Sequence, residues 1–179
     1  MSADLPVFRL HPNAYRLGLF SQQAGICSCC DTPREWRYEG PFYARQKPAY
    51  LCPWCVADGS AAQRWQGQFN DDLSIEGCQP DPAAPSASLD LALLDEVCER
   101  TPGYLAWQQG AWLLHCGQPC QFLDYVDHAG IEPLRAELAD DLDGLPPGYV
   151  RALSTDGSPT GYLFRCAQCG SHRLHTDCT

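Results

Sequence analysis

Cys27-Ser28-Cys29-Cys30, followed after twenty-one residues by Cys52-Pro53-Trp54-Cys55-Val56-Ala57-Asp58-Gly59-Ser60-Ala61-Ala62-Gln63-Arg64-Trp65, is the stretch that decides how this chain is read. Two Cys-x-x-Cys knuckles bracket a turn-rich aromatic segment, and the second opens into a helical pattern. A tight knuckle presents two sulfurs at one corner of a tetrahedron, so Cys27, Cys30, Cys52 and Cys55 fit one zinc ion. The positive end of the following helix favours thiolate at the second knuckle. Between the knuckles, Trp36 and Tyr38 alternate with polar neighbours, Gly40-Pro41 marks a turn, and Phe42 and Tyr43 begin a return. A hairpin is therefore expected over residues 35–50. Knuckle, hairpin and second knuckle at a helix start form the treble-clef order. The helix should be capped near Asp58 or Ser60 and continue through Ala61, Ala62 and Arg64.

Upstream, residues 1–23 read as an extended lead-in. Leu5-Pro6-Val7-Phe8-Arg9-Leu10-His11-Pro12 alternates with period two but is broken by prolines, which suits an edge strand. Downstream, the proline-rich residues 79–88 read as a linker. They divide the chain into a treble-clef-like zinc module over 1–78 and a helix plus zinc-ribbon-like module over 89–179. Ser88 should cap an amphipathic helix over 89–100, with Leu89, Leu91, Leu93, Leu94, Val97 and Cys98 on one broad apolar side. Residues 110–115 read as a strand leading to Cys116, followed by Cys120 after a three-residue gap. Residues 131–142 read as a short helix. A strand over 161–165 feeds the knuckle Cys166-Ala167-Gln168-Cys169, and residues 172–177 return as its hairpin partner. The expected class is α+β, a small irregular zinc-stabilised fold whose C-terminal module carries a helical insertion. Cys116, Cys120, Cys166 and Cys169 are the first choice for a second structural zinc, with His115, His172, His175 or Cys178 as replacement ligands. Cys29, Cys78, Cys98 and Cys178 are then surplus.

Composition sets the bounds. The 179 residues include 12 cysteines and carry a formal charge of −10, with 45% hydrophobic and 11% aromatic content, enough for a packed core. No apolar run of about 18 residues occurs, so no membrane helix is expected. Residues 1–10 hold no secretion-type apolar run, which points to a reducing cytoplasm where cysteine serves metal rather than disulfides. Eight ligand thiolates with two zinc ions would leave the chain more acidic still. Nucleic-acid binders carry a basic face to displace counterions, so direct nucleic-acid binding is not expected. An acidic surface suits a basic protein partner or solubility.

Catalysis finds little footing. A closed set of four cysteines is structural, whereas a catalytic zinc keeps an open position. The chain has no His-x-Glu to pair with Cys52-Pro53-Trp54-Cys55 as a deaminase would need. Asp140 and Asp141 are adjacent, so on a helix they point about 100° apart and form no acid–base pair. The expectation is a non-enzyme; a metal-dependent hydrolase or thiol redox protein using the second cysteine set is the alternative.

Several blocks together resemble the bacterial CbrC-like family, small and cysteine-rich. They are Phe8 with His11-Pro12, the knuckle Cys27/Cys30, Tyr38-x-Gly40-Pro41 with Tyr43, and Cys52 through Ala61. Arg100-Thr101-Pro102-Gly103-Tyr104, Trp107-Gln108-Gln109, Cys116 and Leu163-Phe164-Arg165-Cys166 with Cys169-Gly170 complete the set. The resemblance implies metal binding and, from the family's association with tolerance to a DNase-type colicin, protection against a nuclease toxin as an immunity-type inhibitor. Asp71, Asp72, Asp140, Asp141 and Asp143 would then be candidate contacts for a basic toxin partner.

Overall fold

The computed structural model describes residues 4–78 and 89–179. The expected linker and the Ser88 cap lie outside the described residues. The protein has two units: the first draws its described residues from Met1–Leu73 and Leu89–Leu105, the second from Ser74–Ser88 and Ala106–Thr179.

In the first unit, β1 (Phe20–Ile26) and β2 (Pro33–Tyr38) pair antiparallel, Phe20 opposite Tyr38 and Ile26 opposite Pro33. The hairpin therefore forms upstream of the expected one, and the first knuckle is its turn. Asp31 N–H donates to the Cys27 carbonyl at 2.9 Å and Cys27 N–H to the Thr32 carbonyl at 3.0 Å, with Asp31 in the left-handed region at φ 53°. Once the knuckle has reversed the chain, Trp36 and Tyr38 already have partners. Pro41 and Pro48 cannot donate to a ladder, and Tyr43 makes an isolated bridge to Gln68 instead. The lead-in does not form the expected edge strand either; a series of turns brings Phe8, Leu10, His11 and Ala14 into the core. Phe8 stacks on Phe20 at 5.3 Å, and Tyr38 meets Phe69 edge-on at 5.3 Å.

A bulge lies between Gln22 and Gly25 in β1. The Tyr50 ring crosses there, its hydroxyl sharing its one proton between the carbonyls of Gln23 at 2.8 Å and Arg34 at 3.1 Å. A Cβ on Gly25 would fall 2.6 Å from Tyr50 Cε2. Gly25→Ala is therefore expected to lower stability by about 1–3 kcal/mol, read as a fall in melting temperature. An unchanged melting temperature would show that the ring yields freely.

The second knuckle runs into two short helices. Cys52 is the N-cap of α1 (Pro53–Ala57), with proline at its first position, and Gly59 at φ 78° separates it from α2 (Ser60–Trp65). Asp58 accepts hydrogen bonds from Ser60 N and Oγ at 2.8 and 2.6 Å, so the expected helix over Ala61, Ala62 and Arg64 is present but broken from the knuckle's own helix by Asp58 and Gly59. α3 (Leu91–Arg100) starts later than expected, with Asp90 accepting from Ala92 N at 2.9 Å. Its apolar stripe is narrower too: Val97 and Cys98 are buried while Leu91 is exposed.

α3 belongs to the first unit, although chain order put residues 89–179 together. Asn70, buried, donates Nδ2 to the carbonyls of Val97 and Thr101 at 2.7 and 2.9 Å, satisfying the helix's terminal acceptors. His11 is also inside, its Nδ1 2.9 Å from the Pro102 carbonyl. Burial holds its pKa down at about 4, so it packs as a neutral ring.

In the second unit, β3 (Leu114–His115) and β4 (Gln118–Pro119) form a minimal hairpin around Cys116-Gly117. Both turn residues have positive φ, 53° and 70°, the signature of a two-residue turn matched to strand twist. β5 (Gln121–Val126), β6 (Thr160–Arg165) and β7 (His172–Asp177) make a three-stranded antiparallel sheet in that order. The expected helix over 131–142 is instead three pieces: α4 (His128–Ile131), a single 3₁₀ turn at Glu132–Leu134 and α5 (Ala139–Leu142). Pro133 lacks the N–H that a continuous helix needs. α6 (Tyr149–Ala152) follows. Val126, Ile131, Leu138, Leu153 and Leu174 pack under these helices, and Trp112, Phe122 and Phe164 pack edge-to-face. The class is mixed α and β with small sheets. No helix among the described residues is long and apolar enough to cross a membrane.

Candidate metal centres

The two knuckles that turn β1 into β2 and β6 into β7 share one backbone design. Gly170 N–H donates to the Cys166 carbonyl at 2.9 Å and Cys166 N–H to the Ser171 carbonyl at 2.8 Å, with Gly170 at φ 81°. These are the bonds that Asp31 and Cys27 make in the first unit. Ile26 faces Pro33 as Arg165 faces His172, so each knuckle closes its hairpin at the same offset. A hairpin tip of this kind fixes two sulfurs and leaves the other half of a tetrahedron to be supplied from elsewhere.

In the first unit the start of α1 supplies it. Cys27, Cys30, Cys52 and Cys55 place their sulfurs within 4.8 Å of one another. Cys27 and Cys55 are 3.8 Å apart and Cys30 and Cys52 4.0 Å apart, far longer than a disulfide's roughly 2.05 Å. A zinc–sulfur bond of about 2.3 Å sets the edge of a regular tetrahedron near 3.8 Å, so the spacing suits a single ion. Backbone N–H groups of Cys29 and Cys52 both point at the Cys27 sulfur at 3.4 Å, the support expected for a ligand carrying charge. The Arg34 guanidinium lies 4.2 Å over the Trp54 ring and beside Cys30.

The electrostatics point the same way. Hydrogen bonding from Cys52 and from backbone amides holds the Cys27 thiol down at about 4, whereas the bond to Cys27 together with burial pushes Cys52 far above the usual thiol range. Burial likewise raises Cys55. The Cys27 thiolate makes Cys52 and Cys55 keep their protons, a conflict that a divalent cation would relieve.

In the second unit, β6–β7 presents Cys166 and Cys169, and the β3–β4 hairpin presents His115 and Cys116. His115 Nδ1 lies 3.2 Å from both Cys116 Sγ and Cys169 Sγ, against about 3.6 Å across a tetrahedral zinc with one nitrogen and one sulfur. Hydrogen bonds from Ser171 draw Cys169 down to about 6, and its bond to Cys169 pushes Cys116 up to about 11. Cys120 is not in this set. It is buried, its N–H is bonded to the Leu113 carbonyl, and burial raises its thiol to about 12. His172 pairs with Glu137 at 3.0 Å, His175 stacks on Tyr162 at 5.5 Å, and Cys178 also lies outside the cluster. His115 was legible as a replacement ligand, but its signal was the adjacent Cys-Gly, which makes residues 115 and 116 the arm and tip of one tight turn.

The surplus thiols divide by burial. Cys98 is inside, and Cys29, part-buried, lies 3.5 Å from Ser60 Oγ. The acidic residues divide as well. Asp141 is bound to Arg173 and to Leu174 N–H, and Asp71 and Asp72 accept from Leu73 N–H, while Asp140 and Asp143 are exposed.

A protein-family model described as an uncharacterised protein family, UPF0167, matches residues 5–178. A UPF0167 protein of Pseudomonas aeruginosa is 36% identical over 100% of both chains. UPF0167 proteins of Mycobacterium bovis and Mycobacterium tuberculosis are each 35% identical over 97% of this chain and 93% of theirs. No solved structure matches the chain. These matches correct the resemblance to the CbrC-like family: the matching family and the relatives carry a different name.

Proposed function

The chain belongs to the uncharacterised family UPF0167, and on that premise we propose a zinc-stabilised, non-enzymatic binding protein with two structural metal centres. The observation that supports it is the fit of the Cys27, Cys30, Cys52 and Cys55 sulfurs to the edges of a tetrahedron, three of the four being buried. Read this way, the first centre is treble-clef-like, a knuckle hairpin and a helix start. The second is ribbon-like, two hairpin tips meeting at one ion. Zinc answers to the donors, since three or four thiolates with at most one imidazole favour it over oxygen-seeking cations.

Metal analysis of the purified full chain should give two zinc ions per chain, with absorption spectroscopy averaging four-sulfur and three-sulfur-one-nitrogen shells. A folded protein free of metal would overturn the proposal. A hydrolase reading draws on one observation, the exposure of Cys116 and Cys169 at the second centre. A zinc-bound water there would support it, and a closed shell of four protein ligands would remove it. Protection against a DNase-type toxin stood on the corrected resemblance, and no other observation carries it. The −10 charge favours a basic protein as partner, in a complex that weakens with added salt.

A further inference from the structure

The two centres differ in how far their sulfurs reach solvent. At the first, Cys27, Cys52 and Cys55 are buried and Cys30 is exposed. At the second, Cys166 is buried but Cys116 and Cys169 are both exposed. That exposed pair converges on one atom, each sulfur 3.2 Å from His115 Nδ1, with all four donors within 4.8 Å of one another. The supporting backbone differs too. Cys116 sits at the tip of a hairpin whose strands are two residues each, outside the three-stranded sheet. The first knuckle turns a hairpin of seven- and six-residue strands braced by Tyr50, and its partners Cys52 and Cys55 sit at the buried start of α1. A short hairpin tip can shift by the ångström or two that separates two metal-bound sulfurs from a disulfide of about 2.05 Å.

Resting on the reading of the second cluster as a zinc centre, the geometry points to Cys116 and Cys169 as a redox-reactive pair that a hydroperoxide joins in a disulfide, expelling zinc from that centre alone. One thiolate attacks the peroxide's terminal oxygen; the O–O bond breaks and a sulfenic acid forms as the other oxygen leaves and takes a proton. The second thiolate displaces hydroxide from that sulfur, the S–S bond forms, and the hydroxide leaves as water after taking a second proton. Two sulfurs have lost two electrons and the peroxide has gained them. Zinc passes to solvent, His115 Nδ1 recovers its lone pair and Cys166 takes up a proton. Cys120 is buried and plays no part.

The test uses the zinc-loaded full chain and stoichiometric hydrogen peroxide. Zinc content is read before and after, and peptides are mapped without reduction. Fewer than two ions at the start would sink the zinc reading itself, and the inference with it. With two present, the expected result is release of half the zinc, a Cys116–Cys169 linkage, and recovery of both ions on adding dithiothreitol and zinc. Release of both ions, of neither, or a linkage confined to the first centre overturns the inference. Cys120→Ser should leave the release unchanged; if it blocks release, the buried thiol is the true partner and the assignment fails.

Discussion

Cys52→Ser is expected to empty the first centre and unfold the unit built around it. Cys52 has no solvent exposure, caps α1, donates its N–H to Cys27 Sγ at 3.4 Å and sets its own sulfur 4.0 Å from Cys30. A serine hydroxyl stays protonated where a thiol ionises, so the tetrahedron loses a corner and a charge. Structural zinc contributes on the order of 10 kcal/mol, which rivals the whole 5–15 kcal/mol by which a domain is stable. The unit's buried core includes Cys27, Cys52 and Cys55 themselves, so loss of the ion loosens that packing as well. Its sheet has two strands, and an isolated two-stranded hairpin is marginal in water. Circular dichroism and zinc content should fall together, the latter by one ion. Cys98→Ser, at a buried thiol outside both centres, is the control: a loss of about 1–3 kcal/mol with both ions kept. A Cys52→Ser protein that stays folded and keeps both ions would refute the assignment.

What the sequence made legible was local. Cys-x-x-Cys followed by a residue that tolerates the left-handed region specifies a turn by itself, so the 166–169 knuckle and its partner strand over 172–177 could be read directly. The first knuckle is the same device, but an aromatic, alternating segment after it invited a later hairpin. Nothing in residues 20–26 announces that they pair back across the cysteines, since Gln22, Gln23 and Ala24 are exposed and interrupt the apolar pattern. α3 shows a different limit. Its helical period was clear, yet its place in the first unit depends on Asn70 meeting carbonyls 27 and 31 residues away. No periodicity encodes that pairing. His115 against Cys120 is a third case. Counting cysteines favours Cys116 and Cys120 as a half-site, but a two-residue turn brings the neighbours His115 and Cys116 into the cluster and leaves Cys120, the residue directly after the return strand, buried outside it. Asp141 is a fourth case: it looks like any other charge in the sequence and is 12% exposed in the fold, while Asp72, Asp140 and Asp143 are exposed.

That aspartate belongs to the second large expectation, that Arg173→Met weakens both the second unit and its metal centre. Arg173 forks between two carboxylates, Nε 3.0 Å from Asp141 and Nη2 2.9 Å from Glu76, and donates Nη1 to the Leu114 carbonyl at 2.6 Å. Glu76 in turn accepts from Leu114 N–H at 2.7 Å and Asp141 from Leu174 N–H at 2.8 Å. One guanidinium thus ties α5, β7 and the segment at Glu76 to the residue immediately before His115. Methionine keeps the aliphatic bulk but leaves two carboxylates facing each other without their counter-charge. Breaking a buried pair costs about 3–5 kcal/mol, and with side chains 22% and 12% exposed we expect about 2–4 kcal/mol here. Lysine should rescue little, because a single ammonium cannot reach both carboxylates and the Leu114 carbonyl in one plane. The metal readout separates this role from general destabilisation. Arg173 touches no ligand but holds the strand that aims His115 and Cys116, so zinc affinity at the second centre should fall about 10–100-fold while the first is unchanged. Competition with a chelator on the folded Arg173→Met protein measures this, and equal retention at both centres would show that the β3–β4 hairpin is aimed by the ion rather than by the arginine.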